Sequence, residues 1–280
     1  MKIAGVVVLY NSDETVIECI KSYIDEIEVL YLIDNSETKN DELLIKIKSF
    51  KKIVYIDNKG NQGISMALNI GARLAIQEGY DWLLTMDQDS KFLSDKSIYK
   101  MIQAIPIYKK LAIICPFCVR STIKFDNVIN KSNFSIVPGA ITSGNLLNLK
   151  VYQEIGVFNE DYFIDYVDTD FCIRAMFNGY IIVRCNSAIL EHHIGDTKKQ
   201  IIGFTTNHSP IRKYYIMRNA LYTMSFYKNI YSDIFGIQKY IFFAEIIKII
   251  LYEKQKIRKL LMMWRGYKDF KKGIKGKYKK

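Results

Sequence analysis

Through its first ninety residues the chain alternates short apolar runs with amphipathic stretches. Gly5–Tyr10, Glu28–Ile33, Lys52–Ile56 and Trp82–Met86 are apolar runs bounded by polar breakers, the pattern of strands buried on both faces. Helices are predicted between them. One lies near Thr15–Glu26, after Asn11-Ser12 and with Glu14 placed to support its start, and another over Asp41–Ser49. The third opens at Gly60-Asn61-Gln62-Gly63, puts Ile64, Ala67, Leu68, Gly71, Ala72 and Ala75 on one face, and closes at Gly79. Three strand–helix repeats followed by a fourth strand predict right-handed crossovers and a largely parallel sheet. The carboxyl ends of such strands converge on one crevice. At those ends the sequence places Tyr10-Asn11, Asp34-Asn35, Asp57-Asn58 and Asp87-Gln88-Asp89.

After residue 90 the pattern changes. Leu111–Val119 reads as a further strand and Lys124–Ser135 as a polar excursion. Pro138–Gly144 is a run of small residues, either a place where backbone approaches a ligand or an ordinary turn into a strand. Val151–Ile155 is a short helix. An acidic and aromatic stretch, Phe158–Arg174, leads into a helix ending at Gly179, and two strands follow, Tyr180–Arg184 and Ile189–His193. From about Pro210 the chain reads as Tyr- and Ile-rich helix. Its longest apolar stretch, Tyr240–Tyr252, contains Glu245 and Lys248 and is too short and too charged to span a bilayer. The expected organisation is an α/β domain over 1–220, with a nucleotide-binding half (1–90) and an acceptor and catalytic half (91–220). A helical, basic extension follows over 221–280.

Composition sharpens the last point. Of 280 residues 49% are hydrophobic, enough for a sizeable core, and the formal net charge is +11. The segment Lys254–Lys280 holds twelve basic residues against Asp269 alone, so the whole excess lies there. An amphipathic helix with Ile241, Phe242, Ile246, Ile249 and Ile250 on one face, then Lys/Arg clusters with Trp264 and Tyr267, reads as an element for an anionic membrane surface. The bland alternative is a packed helix with a solvated tail. Nucleic acid is not expected as a partner, because aromatics are sparse in the tail and the charge is confined to one end. Five scattered cysteines point to free thiols in a reducing compartment; Cys115-Pro-Phe-Cys118 lacks the second pair a zinc site needs and sits inside a strand-like run. Lys2 is followed directly by strand and no cleavage-site pattern appears, so no signal peptide is expected. The chain is read as cytoplasmic.

A buried strand ending in Asp87-Gln88-Asp89 calls for a reason. Two carboxylates there suit a hard divalent cation, Mg²⁺ or Mn²⁺, and through it a phosphate; the alternative is a solvated acidic turn. No Gly-x-Gly-x-x-Gly turn follows the first strand and no Walker loop is present, so neither a dinucleotide fold nor an NTPase is supported. Asp168 lies among aromatics that can raise a carboxyl pKa and suit it to general-base work, whereas Asp170 reads as an acidic helix start. The three histidines are His192, His193 and His208. The first two end an apolar run, where an imidazole can serve as a metal ligand.

These pieces, with Val7–Asn11, Ile33–Ser36, Asn61–Gly71, Leu84–Ser90, Ser143-Gly144-Asn145, Phe163–Arg174, Gly179-Tyr180, His192–Asp196, His208–Tyr215 and Arg218-Asn219, resemble in order and spacing a family 2 glycosyltransferase of the GT-A fold, and more narrowly the bacterial rhamnosyltransferases. The resemblance covers about residues 3–220. It implies a metal-dependent, inverting transfer from a nucleotide-diphosphate sugar to a saccharide or polyprenyl-linked acceptor in surface polysaccharide synthesis, peripheral on the inner face of the membrane. Asp87 and Asp89 match the Asp-x-Asp that holds Mg²⁺ or Mn²⁺ and the diphosphate, and Asp168 matches the base. His192 matches the late metal-site histidine, with adjacent His193 leaving the register open. Tyr10, Asn11, Asp34, Asn61, Gly63, Gln88 and Gly144 fall at donor-binding positions. The sugar implied is L-rhamnose from dTDP-L-rhamnose. UDP-galactose or UDP-glucose remains the alternative donor, and a nucleotide-sugar-binding protein without turnover the alternative class. The oligomeric state is not readable.

Overall fold

The computed structural model describes residues 1–119, 132–192, 198–200, 203–227 and 232–279. Contacts group these into two compact units, Met1–Glu160 with Val167–His193, and Asp161–Tyr166 with Ile194–Lys280. Residue 220 falls inside a continuous helix of the second unit, Pro210–Tyr227.

The first unit is built on one mixed sheet. Strands β1 (Ile3–Leu9), β2 (Val29–Asp34), β3 (Ile53–Asp57) and β4 (Trp82–Asp87) pair in parallel in the order β3-β2-β1-β4. The connecting helices are α1 (Thr15–Lys21), α2 (Asp41–Ile47) and α3 (Ile64–Gln77). β2 is buried at every position, as its unbroken apolar run requires. α2 begins at Asn40, whose side chain accepts from Leu43 N. The helix expected near 15–26 is shorter, because α1 ends at Lys21 and a single 3₁₀ turn covers Ile24–Glu26.

Beyond β4 the sheet turns mixed. β5 (Lys91–Phe92), α4 (Ser97–Ile102), β6 (Leu111–Val119), β7 (Phe134–Val137), β8 (Asn145–Asn148), α5 (Leu149–Ile155), α6 (Val167–Phe177) and β9 (Ile181–Glu191) follow. β8 lies antiparallel between β4 and β6, and β6 pairs in parallel with β9. The sequence pattern divides residues 180–193 into two strands; the structure makes one. Opposite Pro116-Phe117 the register jumps from Cys185 to Ile189, so Asn186-Ser187-Ala188 form a bulge rather than a turn. The polar excursion at 124–135 lies mostly outside the described residues, and its end is strand β7, which starts at Phe134.

The second unit holds a hairpin, β10 (Lys198–Gln200) with β11 (Gly203–Thr205), and helices α7 (Pro210–Tyr227), α8 (Ser232–Tyr252) and α9 (Lys256–Lys271). Beside an aromatic cluster of Phe163, Tyr214 and Tyr215, its interior carries several buried polar and charged side chains. Arg218, wholly buried, donates to the carbonyls of Gly276, Asp161 and Tyr162, and Asn219 donates to those of Tyr162, Ile164 and Asp165. Lys213 of α7 pairs with Glu245 and Glu253, and Lys259 of α9 pairs with Glu253 at 2.7 Å. Buried charges persist only when paired in this way.

His208 sits beside this network. Burial first, then the nearby Arg212 and Lys213 charges, lower its pKa from 6.5 to about 3. It is therefore neutral in the folded chain across the range in which the unfolded chain takes up a proton. Its effect on stability is absent above about pH 6.5 and grows against the fold as pH falls from there toward 3. Urea midpoints measured between pH 7 and pH 4 are expected to drop more steeply for the native chain than for His208→Gln; equal slopes would assign the acid sensitivity to other groups.

Candidate active site

Register places the acidic strand ends side by side. Asp34 of β2 lies opposite Leu9 of β1 and Asp57 of β3, and Asp87 of β4 lies opposite Val8. The four parallel strands therefore deliver their polar ends to one edge of the sheet, as the alternation predicts.

Asp87, Asp89 and His192 each bring one ligand atom into a group in which all lie within 4.8 Å of one another. That is slightly wider than the roughly 4.2 Å spanned by opposed ligands about 2.1 Å from an octahedral ion. Two carboxylates and one imidazole suit Mg²⁺ or Mn²⁺ in charge and ligand type. His192 Nδ1 lies 2.8 Å from Ser90 Oγ and 3.7 Å from Asp87 Oδ2. With Nδ1 protonated, the ring donates to Ser90 and leaves Nε2 as a ligand atom, the usual second-partner arrangement of metal-binding histidines. The backbone is fixed as well, since Asp87 N donates to Ser143 Oγ at 3.0 Å and Ser143 is fully buried. His193, Gly195 and Asp196 lie outside the described residues.

At the other end, Asp34 is 3% exposed and multiply bonded. It accepts from Ser36 N at 2.9 Å and Tyr55 OH at 2.8 Å, and Lys39 Nζ stands 3.3 Å from it and 2.8 Å from Asp57. The Lys39 hydrogen bond holds the Asp57 carboxyl below its ordinary pKa, while burial and then Asp34 raise the Tyr55 phenol. Asn11 N donates to Ser36 Oγ at 2.7 Å, joining the loop after β1 to this network. Asn61 turns back to accept from Gly63 N, and Gly63 O accepts from Asn35 Nδ2 at 3.1 Å.

Two predicted donor residues have structural employment. Gln88 accepts from Tyr10 N and Ser12 Oγ and donates to Tyr10 O, so its amide clasps the β1 loop to the end of β4. Tyr10 itself is 45% exposed at that edge. Gly144 is buried at φ +82°, and a Cβ there would stand 2.7 Å from Pro116 Cγ and 2.8 Å from Leu190 Cδ2. Turn and packing together demand glycine.

Asp168 occupies the first turn of α6, where the helix dipole favours a carboxylate. Its Oδ1 accepts from Thr169 N at 2.7 Å. It lines a cavity of about 10 Å³, the size of one water, with Thr85, Asn145, Phe158, Phe171 and Cys172. Asn145 Oδ1 is buried with no protein partner, an acceptor suited to that water. Asp170 differs: it is 3% exposed and bonded to Arg174 Nε at 2.9 Å, and Arg174 in turn donates to the carbonyls of Ile155, Gly156 and Val157 at the end of α5. Cys115 is buried in β6, its thiol pushed up to about 12 by burial, which is not the setting of a reactive cysteine.

Ser90, Ser143, Lys39 and Tyr55 escape sequence reasoning. Ser90 and Ser143 stand inside the quoted motifs, but their hydroxyls gain meaning only through partners 102 and 56 residues away. Nothing local marks Lys39 or Tyr55.

Residues 6–175 match the family described as glycosyl transferase family 2. The chain is 28% identical over 235 residues to the dTDP-rhamnosyl transferase RfbF of Shigella flexneri, covering 78% of each protein. It is 27% identical over 109 residues to a poly-beta-1,6-N-acetyl-D-glucosamine synthase of Staphylococcus aureus, of which it spans 26%. Among solved structures it resembles GalNAc-T7 with UDP, GalNAc and Mn²⁺ (TM-score 0.63, 12% identity, 98% of this chain and 56% of that one). S. aureus TarS 1–349 in complex with UDP-GlcNAc is also similar (TM-score 0.54, 13% identity, 97% and 73%). At these identities the likeness shows the GT-A fold alone.

Calorimetric titration with Mn²⁺ tests the cluster directly. Asp87→Asn is expected to abolish binding, and Ser90→Ala to weaken it about tenfold by releasing the imidazole. An Asp87→Asn chain with unchanged affinity would place the ion elsewhere.

Proposed function

The chain belongs to glycosyl transferase family 2, and we propose that within it the protein transfers L-rhamnose from dTDP-L-rhamnose to a saccharide or polyprenyl-linked acceptor during bacterial surface polysaccharide synthesis. The observation that carries the donor assignment is the similarity to a dTDP-rhamnosyl transferase along 78% of both chains. The likeness to a polysaccharide synthase and the basic carboxyl-terminal segment support work on a growing glycan at the inner face of the membrane.

In this reading Tyr10, Asn11, Asp34, Asn61 and Gly63 seat the nucleoside along the sheet edge, with Lys39 and Tyr55 fixing the Asp34 carboxylate. Asp87, Asp89 and His192 would hold Mg²⁺ or Mn²⁺, which offsets the charge that develops on the departing diphosphate. Asp168 takes the proton of the acceptor hydroxyl as its oxygen bonds to the anomeric carbon and the sugar–phosphate bond breaks; attack from the opposite face inverts that centre. Gln88 and Gly144 act through the backbone, holding the β1 loop and the turn behind Asp87.

Donor hydrolysis and transfer across dTDP-rhamnose, UDP-sugars and GDP-sugars test the reading. Metal-dependent release of dTDP alone is expected, and Asp168→Asn is expected to lower turnover about 10²- to 10⁴-fold with little change in nucleotide affinity. Release of UDP instead would keep the enzyme class and overturn rhamnose as the sugar. Full turnover in Asp168→Asn would remove that residue from the base role.

A further inference from the structure

α9 has two unlike faces. At about 100° per residue, Lys259, Met263, Gly266 and Asp269 fall on one side, and all four are buried. That side is pressed flat on α7, where a Cβ at Gly266 would stand 2.6 Å from the Tyr214 carbonyl oxygen. Asp269 accepts from Tyr214 OH at 2.9 Å, and Lys259 is tied to Glu253 and Asn207. The helix is therefore held at a fixed rotation in its unit.

The opposite side carries Ile257, Leu261 and Trp264 at spacings of four and three, and they are 75%, 60% and 55% exposed. Lys256, Arg258, Arg265, Lys268, Lys271 and Lys272 flank this stripe on both sides and beyond it. Lys268 lies over the Trp264 ring at 5.4 Å and Lys271 over the Tyr267 ring at 5.8 Å, and the two rings stack at 5.2 Å. Exposed apolar side chains gathered into one stripe with a charged rim, rather than scattered singly, mark a contact surface. Two large aliphatic side chains gain nothing from phosphates or bases, but they gain from a hydrocarbon boundary. Lysines and arginines rimming them on both sides match the anionic headgroups above that boundary. Among the described residues no helix is long and apolar enough to cross a membrane.

We propose that α9 lies in the plane of an anionic lipid surface, with Ile257, Leu261 and Trp264 inserted at the headgroup boundary and the flanking Lys and Arg on lipid phosphates. The proposal deepens the membrane part of the function above, and its test uses no sugar transfer, so the two stand or fall separately.

The full chain would be floated with vesicles of phosphatidylcholine alone or with about one-third phosphatidylglycerol, at low and high salt. Trp264 is the exposed tryptophan and Trp82 is buried, so tryptophan emission reports α9. Flotation with anionic vesicles only, weakened by salt and accompanied by a blue shift, is expected. Ile257→Ser/Leu261→Ser/Trp264→Ser should lower vesicle affinity about tenfold or more while leaving the far-ultraviolet circular dichroism and the urea midpoint in solution unchanged. The proposal is overturned if anionic vesicles leave the chain unbound at low salt, or if the triple variant binds as well as the native chain. It is equally overturned if light scattering finds a dimer that the variant dissolves.

Discussion

Parallel strands that end in register bring their carboxylates together, and the first unit depends on how those charges are held. At the β2–β3 end Lys39 lies between Asp34 and Asp57, and Tyr55 completes the Asp34 carboxylate. At the β4 end Ser143 fixes the Asp87 backbone while Ser90 orients His192 toward the same place. The first arrangement brings its own cation in a lysine. The second gathers two carboxylates and an imidazole, a donor set whose charge and ligand types suit a divalent cation. One sheet edge thus carries an end whose two carboxylates share a lysine and a more acidic end whose ligand atoms lie close enough together to suit a divalent cation.

The same economy separates two aspartates on one helix turn. Asp170 is buried and spent on Arg174, whose guanidinium also satisfies three carbonyls leaving α5. That knot fixes the start of α6 against α5 and leaves Asp168 to line the cavity it shares with Thr85, two positions before Asp87 on β4. A buried, paired aspartate two positions from one that lines a cavity needs no special motif, only a helix start and one arginine at i+4.

The parallel half was legible because each of its strands is an unbroken apolar run ending in a polar residue, a signal that needs no distant partner. The antiparallel half was less so. β5 has two residues and β8 four, lengths at which an apolar run and a turn look alike, and Asn186-Ser187-Ala188 read as a break because a bulge and a turn use the same polar residues. Among the site residues, Asp87, Asp89 and His192 stood out by position at strand ends and do converge. Lys39 and Tyr55 did not stand out, because a lysine on a loop and a tyrosine in a strand acquire a role only when Asp34 is placed between them.

The carboxyl-terminal charge shows how far a count differs from a surface. The sequence assigns the whole net excess to Lys254–Lys280, but Lys259 is 2% exposed and bound to Glu253, and Lys275 pairs with Asp161. Glu245 and Lys248, which interrupt the apolar stretch of α8, pair with each other, and Glu245 also takes Lys213. Of the segment's basic residues Lys259 is thus spent inside the unit, while Lys275 and Asp161 pair at its surface. What remains outward on α9 is organised around Ile257, Leu261 and Trp264. Because Gly266 and Asp269 fix the rotation of the helix on α7, that combination of apolar stripe and basic rim is presented as a single face rather than spread around a solvated tail.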